Sequence, residues 1–423
     1  MTKTIHPITH PLNASVRVPG SKSLTNRALL MAALAEGKTT LRNALFSDDS
    51  DYFAKALQNL GFEVELNPER KEIGVRGLGG NIPATSAELF IGNSGTTARF
   101  LTAFLTLGKG EYSIDGEPRM RERPIGDLLA ALRKLGAKLE ANNNCPPVNI
   151  TASGLSGGKT EIAGNISSQY LSALLMIAPY SQSPVEIEVS TALSSKPYID
   201  MTISIMRDFG VDVERDQYQR FRIQPARYLP VSNYSIESDA SAASYFFAAP
   251  AICGGTARVE NISRGSVQGD INFLDILREM GCEIKEIDTA IEVTGNANLR
   301  GIDVDMRDIP DTAQTLSAIA PFASSPTRIR GIASARVKET DRVSAVCTEL
   351  ARLGITVEEY DDGMKIYPCE NIQPATIRTY NDHRMAMAFS LIGLRVEGVQ
   401  IENPACVSKT FPNFFDVLEE LRM

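Results

Sequence analysis

Ser21-Lys22-Ser23-Leu24-Thr25-Asn26-Arg27-Ala28-Leu29-Leu30-Met31-Ala32-Ala33-Leu34 is a polar turn that runs straight into an Ala/Leu-rich helical stretch. Five altered copies follow, opening at Ser94-Gly95-Thr96, Ser167-Ser168-Gln169, Asp239-Ala240-Ser241, Asp311-Thr312-Ala313 and His383-Arg384-Met385. Their continuations read ARFLTAFL, YLSALLMIA, ASYFFAAPA, QTLSAIAP and MAMAFSLIG, and a copy recurs about every 72 residues. Ser and Asp are helix-capping residues. A helix N-terminus also presents free N–H groups and a positive dipole end, so it receives anions. Six such ends facing one place would make a pocket for a highly anionic ligand.

A second signal keeps the same phase. LQNLGFEVEL around Gly61, LRKLGAKLE around Gly136, MRDFGVDVE around Gly210, LREMGCEIK around Gly281 and LARLGITVE around Gly354 share one pattern. Each predicts the end of an amphipathic helix, a glycine just past it, then an alternating strand. The sixth copy carries the helix NFFDVLEELRM. Each repeat therefore holds two helices and several short strands, and the fold class is α/β. A repeat this long exceeds the solenoid range and suits a small module packed with others around a shared core.

The composition fits an enzyme-sized protein of two or three domains: 423 residues, 43% of them hydrophobic. No apolar run is long enough to span a bilayer, and MTKTIHPITHPLNASV has no apolar core of a secretion signal. Cys145, Cys253, Cys282, Cys347, Cys369 and Cys406 show no CxxC spacing, which favours buried thiols in a reducing cytoplasm over disulfides or zinc. A net charge of −8 argues against nucleic acid and anionic membranes as partners.

Against that acidic background, basic residues gather at the polar turns. Lys22, Ser23 and Arg27 stand at a helix start, with Ser23 and Arg27 on one face. A lysine point charge beside an arginine fork suits a ligand with both phosphate and carboxylate. Asn93-Ser94-Gly95-Thr96-Thr97-Ala98-Arg99 offers a turn whose glycine lets backbone approach a ligand. Glu117-Pro118-Arg119-Met120-Arg121-Glu122-Arg123-Pro124 carries three arginines, a composition also typical of a salt-bridged surface. Arg336-Val337-Lys338-Glu339-Thr340-Asp341-Arg342, Asn381-Asp382-His383-Arg384 and Lys409-Thr410-Phe411-Pro412 add further charges. Other chemistries are excluded. A Walker loop ending at Gly158-Lys159-Thr160 would need glycine where Ser153 stands, and no GxGxxG follows a strand. His6, His10 and His383 cannot form HExxH, and a Ser-His-Asp triad would have to use His383, whose arginine neighbour suits a polyanion contact better.

Taken together, PGSKSLTNRALLMAALAEG, GNSGTTARFL, GEPRMRERPIGDLL, SSQYLSALLM, SKPYID, RVKETDR, YNDHRMAMAFSL and KTFP resemble the ordered signatures of the 5-enolpyruvylshikimate-3-phosphate (EPSP) synthase family, from near residue 15 to near residue 412. The resemblance implies transfer of the enolpyruvyl group of phosphoenolpyruvate to the 5-hydroxyl of shikimate 3-phosphate with release of phosphate, a step toward chorismate and the aromatic amino acids. It implies the enolpyruvyl transferase fold: two similar domains, each of three βαβαββ-type repeats, with the active site in the cleft between them. The implied boundaries are 20–236 for one domain and 1–19 plus 237–423 for the other, the strand near Ser15 to Val18 belonging to the second.

By the same resemblance, shikimate 3-phosphate is held by Lys22, Ser23, Arg27, Ser167, Ser168, Gln169, Ser195, Tyr198, Asp311 and Lys338. Phosphoenolpyruvate meets Lys22, Asn93, Gly95, Arg123, Gln169, Arg342, Arg384 and Lys409. The catalytic set is Lys22, Asp311, Glu339 and Lys409, with Asp311 and Glu339 as acid–base candidates. Glu339 is expected to be ionised among Arg336, Lys338 and Arg342. No metal or cofactor is required, and a cytoplasmic monomer is expected. The fourth turn has no expected task beyond capping its helix.

Two departures from the family's pattern stand out. Ser334 replaces the family's common Asn before RVKE. Ser94, Thr97, Ala98 and Phe100 differ from the commoner GNAGTAMRP loop, beside the site where the family's inhibitor glyphosate competes. The related UDP-N-acetylglucosamine enolpyruvyl transferases carry a reactive Cys where this chain has Pro118 and a Lys-Asn pair where it has Lys22-Ser23. An inactive scaffold of the same fold would have lost the charged turns.

Overall fold

The computed structural model describes residues 1–295 and 298–422. The chain divides into two compact units, Gly20–Ile236 and Met1–Pro19 with Glu237–Met423. Among the described residues, twelve α-helices alternate between two kinds. Those that follow the polar turns are α1 (Lys22–Leu34), α3 (Gly95–Leu105), α5 (Ser168–Ile177), α7 (Ala240–Cys253), α9 (Ala313–Ile319) and α11 (His383–Gly393). Interleaved with them are α2 (Asp48–Asn59), α4 (Gly126–Lys134), α6 (Lys196–Asp208), α8 (Phe273–Glu279), α10 (Arg342–Arg352) and α12 (Phe414–Glu420).

The odd-numbered helices are central because, beyond their first turn or two, their sequences are apolar or small on every side. α7 is buried at every residue from Ala240 to Ile252, and α11 along its whole length. A helix without a polar face is stable only inside, and each fully buried Leu or Phe contributes roughly 1.5–3 kcal/mol. The even-numbered helices are amphipathic, and α2, α4, α6, α8 and α10 end at glycines. Gly61, Gly136, Gly210, Gly281 and Gly354 have φ of 92°, 99°, 85°, 109° and 79°, the left-handed backbone at which glycine avoids the Cβ clash.

Each repeat packs its helices on one small sheet; among the described residues five of these have four strands in one constant order, and the sixth has three. In the second repeat the order is Ser86–Phe90, Lys109–Asp115, Val148–Ser153, Lys138–Ala141, the first pair parallel and the others antiparallel. Three of the six sheets borrow a strand from elsewhere in the chain. Asn233–Ser235 pairs in parallel with Glu36–Arg42, completing the first sheet within residues 20–236. Leu12–Arg17 does the same for Gly255–Glu260 in the other unit, and Thr2–Thr4 pairs antiparallel with Gln400–Glu402 in the sixth. The N-terminal segment is thus built into the unit of residues 237–423.

Five of the six turns cap their helices, four of them at the residue that opens the turn in sequence and the sixth at Asp382, one residue earlier. Ser21, Ser94, Ser167, Asp239 and Asp382 each accept a backbone N–H with the side chain. The fifth differs. Pro310–Thr312 form a 3-10 turn, and α9 starts behind it without a side-chain cap. The carboxylate of Asp311 is turned to another use.

Candidate active site

Within residues 20–236, the start of α1 places Lys22 Nζ 3.7 Å from Asp49 Oδ2. One turn on, Arg27 is 1% exposed and tied down on several sides. Its Nε donates to Thr202 Oγ1 (2.8 Å), Nη1 to the Ser23 carbonyl (3.0 Å), and Nη2 to Ser172 Oγ (3.2 Å) and the Tyr198 carbonyl (3.3 Å). The guanidinium lies 5.3 Å from the Phe100 ring centroid. Burial lowers its pKa to about 10, so it is still a cation at neutral pH. Ser23, Arg27 and Tyr198 are therefore gathered into one network, and Tyr198 N reaches back to Ser195 O. Ser195 is left-handed at φ 58°, ahead of a proline-opened α6.

A second group forms at the start of α3. Arg123 Nη1 donates to both the carbonyl (3.0 Å) and Oδ1 (3.1 Å) of Asn93, while Gly95 leaves room for the rest of the fork. Gln169 Nε2 approaches Thr96 Oγ1 at 3.5 Å, and Ser167 Oγ caps α5 at Gln169 N, with Ser168 buried behind it. The three arginines of residues 119–123 have separate fates. Arg119 pairs with Glu122 (2.8 Å) and Arg121 with Asp115 (2.5 Å) in partly exposed ion pairs, and only Arg123 is buried.

Two departures from the common loop support one another: Ser94 Oγ and Thr97 Oγ1 lie 2.7 Å apart, and Thr97 Oγ1 donates to the Asp49 carbonyl. A third, Phe100, is the ring against Arg27. Sequence reasoning did not single out Arg99 and Tyr170, which hold the Pro124 carbonyl at 2.9 and 2.6 Å and so fix the bend after Arg123. Their burial in apolar helices was the available signal, since an Arg or Tyr there needs a partner.

The unit of residues 1–19 and 237–423 holds a charge cluster around Arg342, the first residue of α10. Arg342 Nη1 donates to Asp311 Oδ1 (3.0 Å), Nη2 to Glu339 Oε2 (2.8 Å) and Nε to Asp382 Oδ2 (2.8 Å). Burial by itself lowers the Arg342 pKa, but Asp382, Glu339 and Asp311 outweigh it and the net shift is upward. Arg384 Nη2 donates to the other Asp311 oxygen at 2.8 Å, and Lys409 Nζ stands 3.9 Å from Glu339 Oε1. Asp311 is thus gripped by two arginine forks, which accounts for its release from helix capping. Asp382 was not singled out either. It caps α11 and braces Arg342, and its position before an apolar helical run was the signal.

Two expectations are corrected. Arg336 does not accompany Glu339: it turns to Asp341 (2.8 Å), Glu359 (2.8 Å) and the carbonyls of Tyr360 and Asp361. Arg342 and Lys409 both stand on Glu339, and Lys338 is half-buried next to it in sequence. The fourth turn does more than cap. Ser241 Oγ donates to the buried Asp270 carboxylate, whose pKa is pushed up to about 6 by burial and then by the charge of Asp311, with Arg384 opposing. His383 is 1% exposed and its ring nitrogens make no hydrogen bond among the described residues. Burial holds its pKa well below 6.5, so it is a neutral buried residue, and among the described residues no serine hydroxyl is bonded to its ring. Ser334 is buried, and its hydroxyl makes no hydrogen bond among the described residues. No group of three or more metal-ligating side chains occurs among the described residues.

Comparison with known proteins agrees over the whole chain. Residues 7–418 match the family described as EPSP synthase (3-phosphoshikimate 1-carboxyvinyltransferase). A 3-phosphoshikimate 1-carboxyvinyltransferase of Nostoc punctiforme is 53% identical, the alignment covering 98% of this chain and 97% of the relative. The chloroplastic enzyme of that name from Arabidopsis thaliana is 47% identical over 97% of this chain and 82% of its own. Among solved structures, an EPSP synthase from Acinetobacter baumannii superposes with a TM-score of 0.83 at 26% identity, covering 100% of this chain and 98% of the other.

Proposed function

The chain belongs to the EPSP synthase (3-phosphoshikimate 1-carboxyvinyltransferase) family, and we propose that the two clusters just described carry out that family's reaction. The enzyme transfers the enolpyruvyl group of phosphoenolpyruvate to the 5-hydroxyl of shikimate 3-phosphate. We take each compact unit to be one of the two three-repeat domains. Residues 20–236 supply Lys22, Ser23, Arg27, Ser167, Ser168, Gln169, Ser195 and Tyr198 to shikimate 3-phosphate, and the other unit adds Asp311 and Lys338. Phosphoenolpyruvate is assigned Lys22, Asn93, Gly95, Arg123, Gln169, Arg342, Arg384 and Lys409. Arginine forks match carboxylate and phosphate oxygens in pairs, as a lysine cannot.

Chemically, the hydroxyl oxygen bonds to C2 of the enol as its proton passes to a base, and an acid delivers a proton to C3. The resulting tetrahedral ketal then loses a C3 proton and the phosphate, restoring the double bond. Acid and base exchange tasks between the two halves. Asp311 and Glu339 are assigned these tasks, with Lys22 and Lys409 stabilising the phosphate charge. The observation that carries the assignment is the shared guanidinium of Arg342, which donates to both carboxylates at 3.0 and 2.8 Å. An anionic substrate entering such a cluster competes for the same N–H groups and frees a carboxylate to move a proton.

Phosphate release from phosphoenolpyruvate tests the reading, with shikimate 3-phosphate and UDP-N-acetylglucosamine as separate acceptors. Turnover is expected only with the first. Turnover only with the nucleotide sugar would replace the acceptor, and none with either would leave an inactive scaffold. The six free cysteines fit a reducing cytoplasm, and a monomer is the proposed state. No helix among the described residues is long and apolar enough to cross a membrane.

A further inference from the structure

We infer that Glu349 is a positioning residue for the phosphoenolpyruvate arginines, acting through the turn that leads into α11; the inference rests on the substrate roles proposed above. Glu349 lies on α10 seven residues, or two helical turns, after Arg342, so the two share a face. Its side chain is fully buried. Oε2 accepts from Arg352 Nη1 (2.7 Å) and from the backbone N of Arg378 (3.0 Å), and Oε1 accepts from Tyr380 Oη (2.8 Å). Burial and then this bond push the Tyr380 hydroxyl up to about 12, which keeps it a donor.

The segment it holds is strained. Tyr380 and Asn381 are consecutive non-glycine residues at φ 54° and 55°. Asn tolerates left-handed backbone, but for Tyr380 it is unfavourable and persists only where surroundings over-determine it. Glu349 grips the segment at both Arg378 and Tyr380, while Asn403 Nδ2 donates to Asn381 Oδ1 at 3.2 Å and Asp382 N closes on Thr379 O at 2.8 Å. The next residue is Asp382, which receives Arg342 Nε and caps α11 at Arg384 N. Helix α10 therefore holds both ends of one turn: Arg342 binds its exit and Glu349 its entry. Loss of the entry contacts lets Tyr380 and Asn381 relax, and Asp382, Arg342 and Arg384 drift together.

Three variants test this. Glu349→Gln keeps the size but sets an amide NH2 against one of the donors. Tyr380→Phe removes one hydroxyl at a half-exposed residue and threatens folding least. Glu349→Gln with Tyr380→Gly restores ease at φ 54° without restoring the carboxylate. In Glu349→Gln the KM for phosphoenolpyruvate is expected to rise roughly 10- to 100-fold, as for a misplacement near 1 Å. The KM for shikimate 3-phosphate should stay within about twofold, against that same scale. Tyr380→Phe should show a smaller rise, and the added glycine should recover most of the loss. Amide exchange of residues 378–384 reads the turn without substrate, and should accelerate in Glu349→Gln. An unchanged KM for phosphoenolpyruvate in folded Glu349→Gln, or equal rises for both substrates that glycine does not rescue, would overturn the inference. A wild-type chain that released no phosphate would overturn the transfer reading instead.

Discussion

Gly95→Ala separates ligand positioning from stability. A Cβ at residue 95 would stand 2.5 Å from Arg123 Nη2, 2.9 Å from Cζ and 3.1 Å from Nη1, where ordinary contact begins at 3.4 Å. The guanidinium must therefore retreat by about 0.9 Å. It is also held on Asn93 by two hydrogen bonds through Nη1, at 3.0 and 3.1 Å, and cannot retreat without lengthening them. A displacement of about 1 Å in a positioning group costs on the order of 10²-fold. Helix propensity runs the other way: Gly95 begins α3, and alanine in a helix is favoured by up to about 1 kcal/mol. Steady-state kinetics with each substrate varied in turn, beside a thermal melt, reads both effects. The KM for phosphoenolpyruvate should rise roughly 10- to 100-fold, with shikimate 3-phosphate little affected and Tm unchanged or higher. A normal KM for phosphoenolpyruvate in the alanine variant would refute the argument that Gly95 makes room for a substrate-binding fork.

Arg27→Lys removes charge-assisted hydrogen bonds to Thr202 and Ser172 in a buried site, each worth roughly 1.5–3 kcal/mol. A lower urea midpoint and a raised KM for shikimate 3-phosphate are expected; wild-type values for both would sink the assignment. Glu339→Gln should lower single-turnover transfer by about 10²–10⁴ while substrate binding is retained, and undiminished transfer would remove Glu339 from the chemistry. The pH profile of stability has two opposed parts. His383 has its folded pKa depressed well below 6.5, so its contribution is full above pH 6.5 and is lost as pH falls. Asp270 is raised from 3.8 to about 6, so its contribution is full below the lower value and is lost as pH rises through the upper. The slopes oppose each other across roughly pH 4 to 6, each at most about 1.4 kcal/mol per pH unit. Asp270→Asn leaves His383 unopposed, so the variant's Tm should fall more steeply than that of the wild type on acidification from pH 6 to pH 4.5. Parallel melting curves across that range would show that Asp270 does not titrate there.

How much was legible followed the range of the physics. Caps at Ser21, Ser94, Ser167 and Asp239, glycines past the even-numbered helices and all-apolar central helices are decided within a few residues, so the repeat and the fold class could be read directly. Partners of charges are decided by the fold. Arg336 shares a short motif with Glu339 yet turns to Glu359, and Glu349 looks like any amphipathic helix residue until Arg378 and Tyr380 arrive against it. Asp311 shows the limit most clearly. Its sequence position says cap, and a cap is worth about 1 kcal/mol. Its actual partners, Arg342 and Arg384, lie 31 and 73 residues away. Two charge-assisted hydrogen bonds in a partly buried site outweigh one cap, so α9 gives up the cap that the other five central helices keep. A repeated element that abandons its own local rule needs a compensating gain. Here that gain is a carboxylate fixed between two guanidinium groups, and of the six turns this is the one assigned to move a proton.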